Sequence, residues 1–208
     1  MIVNTTATEN LIQLDPQIAM IHERYGVPPG WSRPAGFVSL SKIILEQQVS
    51  LASAVAHFNK LKNYMGGFTP ELILSLSDEE LRACHISRQK SAYLRGLALA
   101  VSGGTLKLEE LHLKNEDEIR SALTALKGIG EWTTDVYLMF CMGSPDIFPI
   151  GDIALVNTMK ELYGHTSKEE MTEYAERWRP YRSLATQFMW HYYLKKRNRV
   201  FPFEGEAY

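Results

Sequence analysis

Two stretches of this chain carry residue types whose spacing could do chemistry. The first is Leu126-Lys127-Gly128-Ile129-Gly130-Glu131-Trp132-Thr133-Thr134-Asp135. Two glycines separated by one apolar residue permit a tight turn with φ angles that other residues avoid. If helices flank that turn, the N–H groups opening the second helix converge where the helix dipole also favours an anion. A phosphate of a nucleic-acid backbone suits such a place, and Gly128, Gly130 and Thr133 are the residues that would meet it. An ordinary helix–helix turn would carry the same pattern. The second stretch is Ile147-Phe148-Pro149-Ile150-Gly151-Asp152. Asp152 precedes an apolar helical pattern, so it takes the N-cap position, accepting a backbone N–H and complementing the dipole. The same carboxylate could present an oxygen to a cleft.

These stretches need helices to position them, and the sequence punctuation supplies helices. Asp15-Pro16 pairs an N-cap with proline at the first helical position, opening a helix to about Tyr25. Gly26 to Gly36 holds three prolines and three glycines and reads as a loop. Leu40, Ile43 and Ile44 stripe a helix from Phe37 to near Gln47, and Ala52, Val55, Phe58 and Leu61 stripe another over 51–62. Thr69-Pro70 caps a short helix. Ser77 with Glu80 forms a capping box for a helix to about Cys84, and Ser87 opens the next. Asn115 with Glu118 is another capping box, before Ile119, Ala122, Leu123 and Leu126. The apolar segment after Gly130 runs to about Met142, and a helix from Ile153 to Tyr163 follows Asp152. Strict alternation over a strand's length is hard to find. The expectation is an all-α protein of about ten helices in two lobes. Lobe A covers about 37–150, and lobe B about 1–36 plus 151–208, with both termini on lobe B.

The chain has 208 residues, 45% hydrophobic and 22% charged, which suffices for a sizeable core. A net charge of −2 excludes a generally basic protein and leaves nucleic-acid binding to a local patch. The two cysteines, Cys84 and Cys141, form no CxxC pair, so zinc or an iron–sulfur cluster has no ligand set. Lone cysteines fit a reducing cytosol. The start, MIVNTTATENLIQL, lacks the basic-then-apolar pattern of a secretory signal, and no run of about eighteen apolar residues occurs. A cytoplasmic protein with no membrane partner and no required cofactor is expected.

From Leu126 to Asp152 the order is LxGxG hairpin, apolar helix, Pro/Gly-containing loop, aspartate. That order, and the spacing from Gly130 to Asp152, resembles the helix-hairpin-helix–glycine/proline–aspartate superfamily of base-excision DNA glycosylases. Ile44-Leu45-Glu46-Gln47-Gln48-Val49-Ser50 is similar to the family's segment before the hairpin. Arg177-Trp178-Arg179-Pro180-Tyr181-Arg182-Ser183 and Trp190 are similar to the bacterial 3-methyladenine DNA glycosylase II branch. The resemblance covers about Phe37 to Trp190, in a short form without that branch's separate N-terminal domain. It implies Asp152 as the catalytic carboxylate. Breaking an N-glycosidic bond builds positive charge on the sugar, which a fixed carboxylate in a water-poor pocket stabilises. The carboxylate could also orient the attacking water or take its proton. Lyase members add a lysine two residues after the second hairpin glycine. Trp132 stands there and cannot form a Schiff base. The resemblance thus implies plain hydrolysis that leaves an abasic site.

Further roles follow from the same resemblance. Trp132 and Trp190 match aromatic positions around the base pocket, where indole faces would stack on electron-poor, often cationic alkylated purines. Tyr137 is another pocket candidate, although the branch's pocket tyrosine matches Val136. Gln48 matches the wedge that fills the gap left by an extruded base, and it could hydrogen-bond the orphaned partner. Backbone carbonyls of Thr124, Leu126 and Ile129 are expected to hold Na+ or K+. The basic run Lys195, Lys196, Arg197 and Arg199 reads as a solvated helix end, with a phosphate contact as the lesser reading. The implied partner is double-stranded DNA containing damaged bases, bound by a monomer in a cleft between the lobes. Other readings are a glycosylase for uracil or an oxidised purine, and a non-catalytic helix-hairpin-helix DNA-binding module, which would not need Asp152. An all-α interaction protein would leave the joint spacing of Gln48, the hairpin, Asp152 and Trp190 unexplained.

Overall fold

The computed structural model describes residues 2–199. Among them the α-helices run α1 (Thr5–Leu14), α2 (Pro16–Tyr25), α3 (Phe37–Glu46), α4 (Leu51–Met65), α5 (Pro70–Ser75), α6 (Asp78–Ala83), α7 (Arg88–Ser102), α8 (Glu116–Thr124), α9 (Glu131–Tyr137), α10 (Ile153–Tyr163), α11 (Lys168–Ala175) and α12 (Arg182–Lys196). Short 3-10 turns cover Leu108–Leu113 and Glu176–Trp178, and a π-helical turn covers Leu138–Met142. No described residue forms a strand. The all-α expectation holds, with twelve α-helices against about ten.

The capping chemistry read from the sequence is present in atomic detail. Asp15 Oδ1 accepts from Gln17 N and Ile18 N at the start of α2, with Pro16 behind it. Ser77 with Glu80 and Asn115 with Glu118 close reciprocal capping boxes. Ser167 with Glu170 closes a third, at α11. Some helix ends differ from expectation. The fourth helix continues past Lys62 to Met65 and stops at Gly66, whose left-handed φ of 71° turns its N–H back to Lys62 O. The helix before the hairpin ends at Thr124 rather than Leu126. The segment expected to be helical from Gly130 to Met142 is α-helical only to Tyr137. No transmembrane-length apolar helix occurs among the described residues. Cys84 and Cys141 are both free thiols.

Contacts divide the described chain into two compact units. Unit 1 comprises 2–32 and 138–199, and unit 2 comprises 33–137. The return to the first unit was expected at 151. It occurs at 138 because the loop after the π turn is tied to the start of α12. Ser183 N donates to Pro145 O, Ser183 Oγ to Ser144 O, and Ile147 N to Ser183 Oγ. Arg182 grips Asp146 through Nε at 2.8 Å and Nη2 at 3.0 Å, and it also reaches the Asp146 carbonyl.

In unit 1, α12 packs on α2 and α10 around Leu11, Ile18, Ile21, Leu155, Met159, Trp178, Phe188 and Met189. Burying such side chains contributes about 1.5–3 kcal/mol each. In unit 2, α3 packs against α4, α7 and α9, and its residues from Ser39 to Glu46 are all buried. Each unit thus fixes one of the two chemically informative stretches.

Candidate functional site

Asp152 is the N-cap of α10, with an extended backbone at φ −81° and ψ 123°. Its Oδ1 accepts from Leu155 N at 2.8 Å, the expected cap contact. The same oxygen accepts from Trp190 Nε1 at 2.9 Å. Asp152 is half-buried. Trp190, expected as a wall for a stacked base, is 9% exposed, and its ring lies 5.5 Å from Phe140 at an interplanar angle of 34°. Its indole N–H is therefore committed to orienting the carboxylate. A buried indole N–H usually finds an acceptor, but spacing alone does not say which one. The approach to Asp152 is fixed as well. Asp152 N donates to Pro149 O at 2.8 Å, and the Arg182–Asp146 and Ser183 contacts pin the preceding loop. Arg182 and Ser183 were legible only as part of the family-like segment, without a stated role.

The hairpin lies in unit 2. Between α8 and α9 the chain turns tightly, with Ile129 N donating to Leu126 O and Thr134 N to Gly130 O. Only Gly128 uses a left-handed φ, 95°. A Cβ there would meet the ring of Tyr93 at 2.1 Å, so Gly128 is glycine for both conformation and space. Gly130 differs from expectation. Its φ lies outside the left-handed region, and a Cβ built on it meets nothing within 4 Å.

Thr133 turns its side chain away from solvent. It is 2% exposed, and its Oγ1 accepts from Gln47 Nε2 at 2.9 Å. Its hydroxyl is turned into the fold because α9 packs on α3 and buries that face, which leaves only its backbone N–H for an anion. Tyr137 is corrected as a pocket residue. It is fully buried, with its hydroxyl accepting from Gly36 N at 3.0 Å, and has no accessible face for a base. Every residue of α9 from Thr133 to Tyr137 is buried, whereas Trp132 is half-buried. Gln48 is exposed, with a left-handed φ of 57°. Gln47, to which the sequence reading gave no role, donates to Gly128 O at 2.8 Å as well as to Thr133.

Two further groups tune the electrostatics of unit 2. Asp135 pairs with Arg120 Nη2 at 2.8 Å, yet burial pushes its carboxyl up to about 6 against that pull. Burial also raises the Glu46 carboxyl, opposed by its ion pair with Arg33 at 2.8 Å. In unit 1 the basic run ends α12 as expected. Lys196 pairs with Glu161, and the Arg197 guanidinium lies over the Tyr193 ring at 3.8 Å. Among the described residues no cluster of three His, Cys, Asp or Glu side chains could hold a metal ion. The Thr124 carbonyl closes α8 just before the hairpin turn, those of Leu126 and Ile129 sit in it, and Leu126 O already accepts one N–H.

Comparison with known proteins gives consistent results. The family described as HhH-GPD superfamily base excision DNA repair protein matches residues 41–180. The putative DNA-3-methyladenine glycosylase YfjP of Bacillus subtilis is 32% identical over 162 residues, which cover 73% of this chain. The chain spans only 56% of that relative's length. The fold is similar to the Schizosaccharomyces pombe 3-methyladenine DNA glycosylase Mag1, solved in complex with abasic DNA. That match has a TM-score of 0.81 at 28% identity and covers 89% of this chain and 95% of the other. A DNA-3-methyladenine glycosidase from Bacillus halodurans matches with a TM-score of 0.75 at 29% identity, covering 97% of this chain and 95% of that one.

Proposed function

This chain belongs to the HhH-GPD superfamily of base excision DNA repair proteins, and on that premise we propose that it is a monofunctional DNA glycosylase hydrolysing the N-glycosidic bond of alkylated purines of the 3-methyladenine type. It acts as a monomer on double-stranded DNA containing the damaged base. The observation that carries this reading is the Asp152 carboxylate, whose Oδ1 is fixed by both a helix-cap N–H and the Trp190 indole. A carboxylate held in place before the reaction stabilises developing positive charge without the cost of reorganisation.

The reaction follows from the charges. The bond between the purine nitrogen and C1′ breaks with its electron pair going to the base, and the sugar becomes oxocarbenium-like. A purine nucleotide alkylated at ring N3 or N7 is cationic, so its base leaves as a neutral molecule and needs no acid to protonate it. The Asp152 carboxylate stabilises the sugar cation and accepts the proton of the water that attacks C1′. The product is a free base and an abasic site. Trp132, half-buried at the start of α9, offers an indole face to the cationic ring.

Anchoring is assigned to the hairpin. The first N–H groups of α9 have no intrahelical acceptors and form the positive end of its dipole. The open space where a Cβ of Gly130 would stand suits the close approach of a phosphate. Gln48, exposed on its left-handed turn, takes the role of the wedge. If a monovalent cation is held, the Thr124, Leu126 and Ile129 carbonyls would hold it. Leu126 O retains a second lone pair, and uncharged oxygens suit a single hard charge. Bound there, the cation would add positive charge beside the phosphate.

The test is a base-release assay on duplexes that each carry one lesion: 3-methyladenine, 7-methylguanine, hypoxanthine, uracil or 8-oxoguanine. Release of the alkylated purines, an intact strand until alkali treatment, and no covalent trapping by borohydride are expected. Release confined to uracil or 8-oxoguanine would move the chain to another lesion class. A borohydride-trapped complex would overturn the monofunctional assignment.

A further inference from the structure

The segment that closes α3 is fixed at three successive residues. Leu45 O accepts from Lys90 Nζ at 2.6 Å. Glu46 is ion-paired with Arg33, with the two side chains 5% and 2% exposed. Gln47 gives its carboxamide hydrogens to Gly128 O at 2.8 Å and Thr133 Oγ1 at 2.9 Å. The next residue, Gln48, is exposed and stands at φ 57°. A residue with a Cβ adopts that conformation at a cost and keeps it only where its surroundings over-determine it.

We infer that Gln47 is a positioning residue: its carboxamide locks the turn presenting Gln48 onto the hairpin at Gly128, so that the hairpin backs the wedge. The inference rests on the glycosylase reading above. Both acceptors belong to the hairpin, one a backbone carbonyl beside the left-handed Gly128 and the other a buried hydroxyl. Glutamine suits the place because its amide supplies two donors from one nitrogen. Glutamate could not donate to Gly128 O, and leucine or methionine would leave that carbonyl without this partner. Wedge insertion comes after contact with the phosphate backbone. Loss of the lock should therefore slow base extrusion while leaving the first encounter with DNA intact.

A double-mutant cycle of Gln47→Met and Gln48→Ala tests this, read by base release and by the fluorescence of 2-aminopurine beside the target base. Gln47→Met should bind undamaged duplex within about twofold of wild type, yet unstack the reporter and release base about tenfold more slowly. In the Gln48→Ala background the same change should cost less than about twofold, because its effect runs through Gln48. Thr133→Val removes one of the two acceptors and should give a smaller loss of the same kind, about threefold. It takes the place of Gln47→Met in the cycle if that variant does not fold. An equal loss in both backgrounds, or a loss of duplex affinity matching the loss of release, would show Gln47 to be a support of the fold and overturn the inference. A wild-type protein that releases no base from any lesion duplex would instead sink the glycosylase reading, and this inference with it.

Discussion

Asp15 and Asp152 are both N-cap aspartates of unit 1, and each is also held by a tryptophan N–H from the last third of the chain. Asp15 accepts from Gln17 N, Ile18 N, Tyr163 Oη, Tyr174 Oη and Trp178 Nε1. It is fully buried, and the burial of Tyr163 itself, followed by the negative charge of Asp15, pushes the Tyr163 hydroxyl far above the ordinary tyrosine range. Asp152 accepts from Leu155 N and Trp190 Nε1, both at Oδ1, and is half-buried. The cap contact is common to both and distinguishes nothing. The surroundings differ: three aromatic donors and full burial make Asp15 a structural hub, while Asp152 is only half-buried, as the role proposed for it requires.

The comparison breaks first on stability. Asp15→Ala leaves buried donors without their acceptor, and we expect a loss on the order of 4 kcal/mol in urea unfolding. Base release by the remaining folded protein should be unchanged. If Asp15→Ala folds normally, its hub role is wrong.

Asp152→Asn should do the reverse. Asparagine keeps the cap, so the thermal midpoint should move by less than about 4 °C. Single-turnover base release should fall by about a hundredfold or more, with binding to abasic-site DNA retained. Near-wild-type release would remove Asp152 from the mechanism.

Asp135 adds a third environment, a buried aspartate paired with arginine. Its carboxyl titrates near 6 in the folded protein against 3.8 for the ordinary group. Between those values the folded chain holds a proton that the unfolded chain has released. Its contribution to stability is therefore full below about pH 4 and is lost as pH rises through about 6. Relative to Asp135→Asn, wild type should weaken by a few kcal/mol, about 3 at most, between pH 4 and pH 7. Unfolding curves of both proteins at the two pH values would show it, and a constant difference would refute it.

The smallest effect expected is that of Trp190→Phe, which keeps a ring against Phe140 and removes the N–H on Asp152. Release should slow by about tenfold with little change in thermal midpoint. Unchanged release would make Trp190 a wall and nothing more.

Much of this was legible along the chain because it depends on neighbours in sequence. Caps at Asp15, Ser77, Asn115 and Asp152 are contacts within a few residues, so residue type and offset specify them. The LxGxG turn was legible for the same reason, as was the absence of a lysine at Trp132. The burial of the Thr133 side chain and of Tyr137 was not legible because helical position fixes spacing but not which face the neighbouring helix covers. Gln47, Arg182 and Ser183 escaped because their partners lie far away in sequence. The two hairpin glycines read alike, yet only Gly128 is required by φ and by the Tyr93 ring.

The sequence by itself determined an all-helical chain, where most helices begin, and that an aspartate caps the helix after the Pro/Gly loop. These follow from short-range hydrogen bonding and apolar periodicity, which a linear string records. Only the tertiary structure decided which of two capped aspartates is sealed and which is left half open. That depends on aromatic donors brought from distant helices, and on burial, which is a property of packing rather than of any residue's type.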